Sequence, residues 1–174
     1  MSLKVPDIAK VKEILKTSMA DFRLVFSEKV LAKSQLRGFQ VTEAVDLLIL
    51  QHRAEGRLLL TDRNGFYNDL LSSAYRFLEG RILVIIDNVE ENPPDGALVS
   101  SEIYELAKYG DQPTIGILAE MGKVVCYKTL PSEFQISHIV QVLMKSAFYR
   151  EIPDYSKLPE NYLPNQKTYK CPLL

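Results

Sequence analysis

The residues best suited to chemistry are three carboxylates on one short stretch. Asp87 directly follows the unbroken apolar run Ile82 to Ile86, Asp95 sits beside Gly96 in a polar loop, and Glu102 falls in the first turn of a helix expected from about Ser100 to Tyr109. A carboxylate near a helix start points back over the amino terminus, whose free N–H groups suit an anionic or polar ligand. One such carboxylate can stabilise or attack a sugar cation while another handles the proton. Asn88, Gly96, Ser100 and Ser101 share the stretch and are the candidate substrate contacts. The competing reading is that Asp95 or Ser100 only caps the helix and Glu102 only complements its dipole.

Positioning these groups calls for a strand, a loop and a helix in that order. Ile82 to Ile86 is apolar at every position, as in a strand covered on both faces. Pro93, Pro94, Asp95 and Gly96 mark the loop, and Thr114 to Leu118 reads as a second buried strand. Together these make a βαβ unit with its loop at the carboxyl end of the first strand, where open α/β sheets bind ligands.

The rest of the chain is read as support for that unit. Pro6 to Ser18 is an amphipathic helix, with Ile8, Val11, Ile14 and Leu15 on one face. Asp21 to Ser27 reads as the first strand. Glu28 to Gln40 is either a short helix ended by Gly38 or a loop leading to a brief strand at Phe39 to Val41. Thr42 opens a helix that Gly56 stops. Arg57 to Thr61 is a short strand, Asp62 to Gly65 a turn, and Phe66 to Glu79 a helix closed by Gly80. Glu120, Met121 and Gly122 leave too little chain for a parallel crossover, so Lys123 to Lys128 is expected to be an antiparallel edge strand. Pro131 and Ser132 open a last helix running through Phe148, with Phe134, Ile136, Ile139, Val140, Leu143, Met144 and Ala147 on its buried face. The sum is an α/β domain over residues 1–150: three-layered, flavodoxin-like (Rossmann-like), with a mainly parallel sheet of about five strands. Residues 151–174, rich in proline and tyrosine, read as an extended arm lying on the domain or on a second subunit.

Composition narrows the function by exclusion. Hydrophobic residues are 47%, charged residues 25% and the formal net charge is -1, so nothing points to nucleic acid or an anionic membrane. No apolar run approaches the ~20 residues that span a bilayer, and the amino terminus lacks the build of a signal peptide. Cys126 and Cys171 form neither a disulfide framework nor a metal spacing. His52 and His138 fall inside expected helices without ligand-spaced partners and read as ordinary surface or core histidines. GxGxxG, GxxxxGK[ST] and GxSxG are all absent. The expectation is a cytoplasmic protein with no metal and no cofactor.

The stretch DNVEENPPDGALVSSEIYELAKYGDQPTIGI, together with the preceding NDLLSSAYRFLEGRILVIIDN, resembles the nucleoside 2-deoxyribosyltransferase and nucleotide N-hydrolase superfamily. The resemblance runs from Asn68 to Ile117. It rests on the apolar strand ending in Asp87, the Asp95–Gly96 loop, Glu102 near a helix start, Ala107, and the turn from Gly110 into the Pro113-led segment. Ser100–Ser101–Glu102–Ile103 is similar to TIR-like domains to about the same degree. There, a glutamate on the equivalent helix can cleave nicotinamide from NAD. The resemblance implies cleavage or transfer of an N-glycosidic bond in a nucleoside, nucleotide or NAD-like substrate. Glu102 would be the nucleophile or cation-stabilising carboxylate, and Asp87 and Asp95 would orient sugar hydroxyls or assist proton transfer. It also implies a homodimer, because such enzymes commonly build their sites at subunit contacts. The alternative is a non-catalytic protein-interaction or nucleotide-sensing module on the same fold. It is motivated by a first strand, FRLVFS, that lacks the family's usual tyrosine, and by the apolar tail.

Overall fold

The computed structural model describes residues 8–36, 39–42, 45–54, 66–101, 103–104, 113–148 and 156. These form a parallel α/β sheet covered on both faces, in the Rossmann-like manner. The elements are α1 (Ile8–Ser18), α2 (Lys33–Leu36), β1 (Leu48–Arg53), α3 (Phe66–Phe77), β2 (Ile82–Asp87), α4 (Pro113–Glu120), β3 (Val124–Tyr127) and α5 (Glu133–Phe148).

β2 is the centre of the sheet described, with β1 and β3 parallel to it on either side. All six of its residues are buried, as its apolar run requires. Alternation divides them between two cores. Ile82, Val84 and Ile86 join Val124 and Cys126 against α3 and α4. Leu83 and Ile85 join Val125 and Tyr127 against α1 and α5. Both crossover connections place their helices on one face, as crossovers of a single hand do when strands are added in order.

Local chemistry sets the helix ends. α3 closes in a Schellman arrangement, with Glu79 and Gly80 at positive φ and the Gly80 N–H donating to Tyr75 O at 2.7 Å. α5 starts in a reciprocal capping box. The Gln135 N–H donates to Ser132 Oγ at 3.3 Å, and the Ser132 N–H to Gln135 Oε1 at 3.0 Å.

Several expectations are corrected. The helix expected from Thr42 is the strand β1. Leu47 to Leu50 is apolar at consecutive positions, and the residues divide two by two between the cores, so the run needs cover on both sides. Asp21 to Ser27 is not a strand. It folds back along α1, where Lys12 and Lys16 stand 5.4 and 5.9 Å from the Phe26 ring and Lys12 pairs with Glu28. Phe39 to Val41 is not a strand either, and α2 gives the short helix of the other reading. Thr114 to Leu118 belongs to α4, with Pro113 in the first helical position, where its missing N–H costs nothing. Because α4 makes the crossover, β3 is parallel to β2 and not antiparallel. The buried face of α5 is the expected one in part: Ile139 is buried and Val140 and Leu143 pack against the core, but Gln135, Val142 and Ser146 also lie inward, while Phe134 and Ala147 are exposed. Among the described residues the sheet has three strands. Arg57 to Thr61, Asp62 to Gly65, Ala107, Gly110 and the arm 151–174, apart from Ser156, lie outside the described residues.

Candidate functional site

Asp87 closes β2 at the carboxyl edge of the sheet, with only 6% of its surface exposed. It continues the row of Leu83 and Ile85, so its side chain lies on the α1/α5 side. Gln51 extends the matching row of β1, and its Nε2 donates to Asp87 Oδ2 at 2.9 Å. Arg53 and Tyr127 stand opposite Asp87 in the register on either side. One strand step further, the Ala54 N–H donates to Asp87 O at 2.8 Å. Asn88 then turns the chain at φ +62, and its Nδ2 donates to Ala54 O at 2.9 Å.

The loop beyond Asn88 is used to cover the outer edge of β3. The Lys128 N–H donates to Asn92 Oδ1 at 2.8 Å and the Cys126 N–H to Leu98 O at 2.9 Å. Gln135 Nε2 donates to Cys126 O at 2.8 Å, and more weakly to Ala97 O and Leu98 O. An exposed strand edge would otherwise invite pairing with another chain. Between those anchors, Asp95 and Gly96 form an exposed turn closed by the Ala97 N–H donating to Pro94 O at 2.9 Å. Gly96, at φ +78, supplies the positive φ that the third position of a type II turn needs.

Ser100 is buried beside β3, with its N–H directed to Cys126 Sγ at 3.3 Å. Its carbonyl accepts from the Ile103 N–H at 3.1 Å, so it occupies the cap position before a helical segment at Ser101, Ile103 and Tyr104. Ser101 is exposed. Glu102 lies outside the described residues. Cys126 faces the α3/α4 core, so Ser100 and the Asp87 carboxylate lie toward opposite faces of the sheet. The stretch is therefore not one cluster: Asp87 is grouped with Gln51, Ser100 with Cys126, and Asp95 with solvent.

Two further buried polar groups lie at the same edge, and the second, shared by α3 and α4, escaped the reading of the sequence. His52 is a core histidine, but on β1 and not on a helix. Its Nδ1 shares a hydrogen bond with Tyr67 Oη at 2.9 Å, the rings meeting edge to face. Burial lowers the His52 pKa to about 4 and raises that of Tyr67 to about 12, so both are neutral at pH 7. On α3, Asn68 and Ser72 meet Thr114 of α4. Ser72 Oγ is 3.0 Å from Thr114 Oγ1, the Thr114 N–H donates to Asn68 Oδ1 at 3.1 Å, and the Thr114 hydroxyl donates to the same oxygen. All three residues are fully buried. A signal for them was present: Asn68 and Ser72 are four residues apart, on the face of α3 that carries Leu71 and Tyr75.

Among the described residues no group of three or more His, Cys, Asp or Glu side chains is placed to hold a metal. No helix among them is long and apolar enough to cross a membrane. No protein-family model, curated protein or solved structure matches the chain.

Proposed function

We propose that the protein cleaves or transfers the N-glycosidic bond of a nucleoside, nucleotide or NAD-like molecule. The observation that carries the reading is Asp87, a buried carboxylate held by Gln51 at the carboxyl end of the central strand and followed by a loop into the Glu102 segment. Ligand sites of parallel α/β sheets lie at that end. In the reaction, the Glu102 carboxylate attacks the anomeric carbon or stabilises its cation as the bond to the base nitrogen breaks. The base leaves with a proton supplied by solvent or by an exposed acidic side chain of the loop such as Asp95. Water or an acceptor nucleobase then takes the sugar. Asp87 orients a sugar hydroxyl, with Asn88, Gly96, Ser100 and Ser101 as further contacts. The flavodoxin-like sheet of about five strands belongs to this proposal, as do a homodimer and a cytoplasmic setting.

The test is incubation with a panel of nucleosides, nucleotides and NAD, with free base detected by chromatography. Release that is lost in Glu102→Ala supports the reading, and release unchanged in that variant removes Glu102 from it.

A second reading is a non-catalytic nucleotide-sensing or protein-interaction module. It is favoured by the dispersal of the carboxylates, with Asp87 tied to Gln51 and Asp95 exposed on a turn. A ligand that raises the melting temperature without being turned over would select it.

A further inference from the structure

The Asn68 amide has only one possible orientation. A backbone N–H can only donate, so the group facing Thr114 N must be the oxygen, Oδ1. The Thr114 hydroxyl also donates to Oδ1, which leaves it to accept from Ser72. The chain of donors thus runs from Ser72 through Thr114 to Asn68 and ends there. Nδ2, with two N–H groups, is left over. It is buried and has no hydrogen-bond partner among the described residues, and Asn68 itself is 0% exposed. Buried donors are seldom left in that state unless something outside the chain satisfies them.

Its surroundings specify the missing acceptor. Asn68 stands over the amino terminus of α4, which has no acidic residue in its first turn. Pro113 contributes no N–H. That of Thr114 is taken by Asn68 Oδ1, which leaves the N–H of Ile115 in the turn that lacks intrahelical acceptors. Among the described residues the groups left over at this point, Asn68 Nδ2 and the Ile115 N–H, are donors at the positive end of a helix, which suits an anionic oxygen. The exposed side chain of Asp69, next in sequence, already complements α3, and exposed Pro113 puts the point one residue from solvent.

We propose that Asn68 Nδ2 and the first turn of α4 bind a phosphoryl oxygen. That the phosphate belongs to a nucleotide, and not to a free ion, rests on the function proposed above; the anion point itself does not.

The test uses the full chain labelled with nitrogen-15 and titrated with inorganic phosphate, a nucleoside 5′-monophosphate and the matching nucleoside. The expected result is saturable movement of the Asn68 side-chain amide and the Ile115 backbone signal with either phosphate compound, and none with the nucleoside. Asn68→Asp keeps the acceptor for Thr114 but replaces the two donors with a charged oxygen. It should melt lower than the wild type, because a charged oxygen replaces the amide nitrogen at a fully buried position, and bind phosphate at least ~10-fold more weakly, since charge-assisted hydrogen bonds are lost and a like charge is added. If phosphate leaves those signals unmoved in the wild-type protein, the proposal falls, whether or not Asn68→Asp folds. Equal phosphate affinity in a folded Asn68→Asp also overturns it. Phosphate binding at Asn68 without base release from any nucleotide would uphold the anion point and reject the glycosidic reading.

Discussion

The Tyr67 hydroxyl and His52 Nδ1 are 2.9 Å apart, a buried hydrogen bond that ties the end of β1 to the first turn of α3. Burial favours the neutral form of each partner, and this gives the protein a pH signature. The folded His52 pKa, about 4, is below its ordinary 6.5. Its neutral-state stability is therefore complete above pH 6.5 and is lost as pH falls toward 4. The folded Tyr67 pKa, about 12, is above its ordinary 10.0, so that contribution is complete below pH 10 and lost as pH rises toward 12. At about 1.4 kcal/mol per pKa unit, the acid-side loss is on the order of 2–3 kcal/mol. Urea unfolding at pH 7 and pH 4.5 should show it in the wild type and show less in His52→Gln. An equal pH dependence in the two proteins would remove His52 as the cause.

The Gln135 side chain accepts from the Ser132 N–H at the start of α5 and also holds the loop that covers β3, through the carbonyls of Ala97, Leu98 and Cys126. Gln135→Ala should cost about 2–3 kcal/mol, a cap of ~1 kcal/mol plus the desolvation of buried acceptors. Gln135→Glu should also destabilise, because it keeps the cap but puts a carboxylate against carbonyl oxygens. Equilibrium denaturation of the two variants tests whether the loop contact matters beyond the cap.

Gly96 and Gly122 separate backbone strain from crowding. Gly96, at φ +78, has nothing within 4 Å of an added Cβ, whereas at Gly122, at φ +68, the Cβ would meet His138 Cε1 at 3.4 Å. Gly96→Ala should cost about 1 kcal/mol, the price of a left-handed Cβ alone. Gly122→Ala should cost more, because His138 Nε2 lies 2.7 Å from Gly122 O and resists movement. Similar melting temperatures for the two variants would contradict this ordering.

Asp87 and Gln51 form a pair that can be dissected by a double-mutant cycle. Asp87→Asn should destabilise by roughly 1–3 kcal/mol, and its effect should shrink in a Gln51→Leu background because the shared hydrogen bond is already gone. Additive losses would mean the 2.9 Å contact contributes little in solution.

Truncation after Glu151 addresses the arm. An arm packed on a subunit surface would gain roughly 1.5–3 kcal/mol from each tyrosine or leucine it buried, enough to offset the ordering of a proline-restricted segment. The shortened chain is expected to melt lower and to elute as a smaller species. Unchanged melting and size would make the arm a passive end.

The sequence by itself determined the elements whose local signals agree with one another. Ile82 to Asp87 is apolar enough to need cover on both faces. Phe66 to Phe77 carries a helical period and a glycine close. Ser132 and Gln135 spell a capping box. From these the α/β class and the central position of β2 were legible, as was Asp87 at the strand end. The tertiary structure decided what short apolar runs become. Leu47 to Leu50 and Thr114 to Leu118 are each compatible with strand or helix, because over four or five residues the two periods are not distinguishable. Partners on both faces make the first a strand, and packing against α3 makes the second a helix. That exchange also reverses β3, since a helix between β2 and β3 permits the parallel direction. The grouping of site residues depends on alternation across the sheet, which the order of residues in the chain does not reveal. Asp87 and Ser100 are close in sequence yet lie toward opposite faces, while Asn68 and Thr114, distant in sequence, meet because α3 and α4 share one.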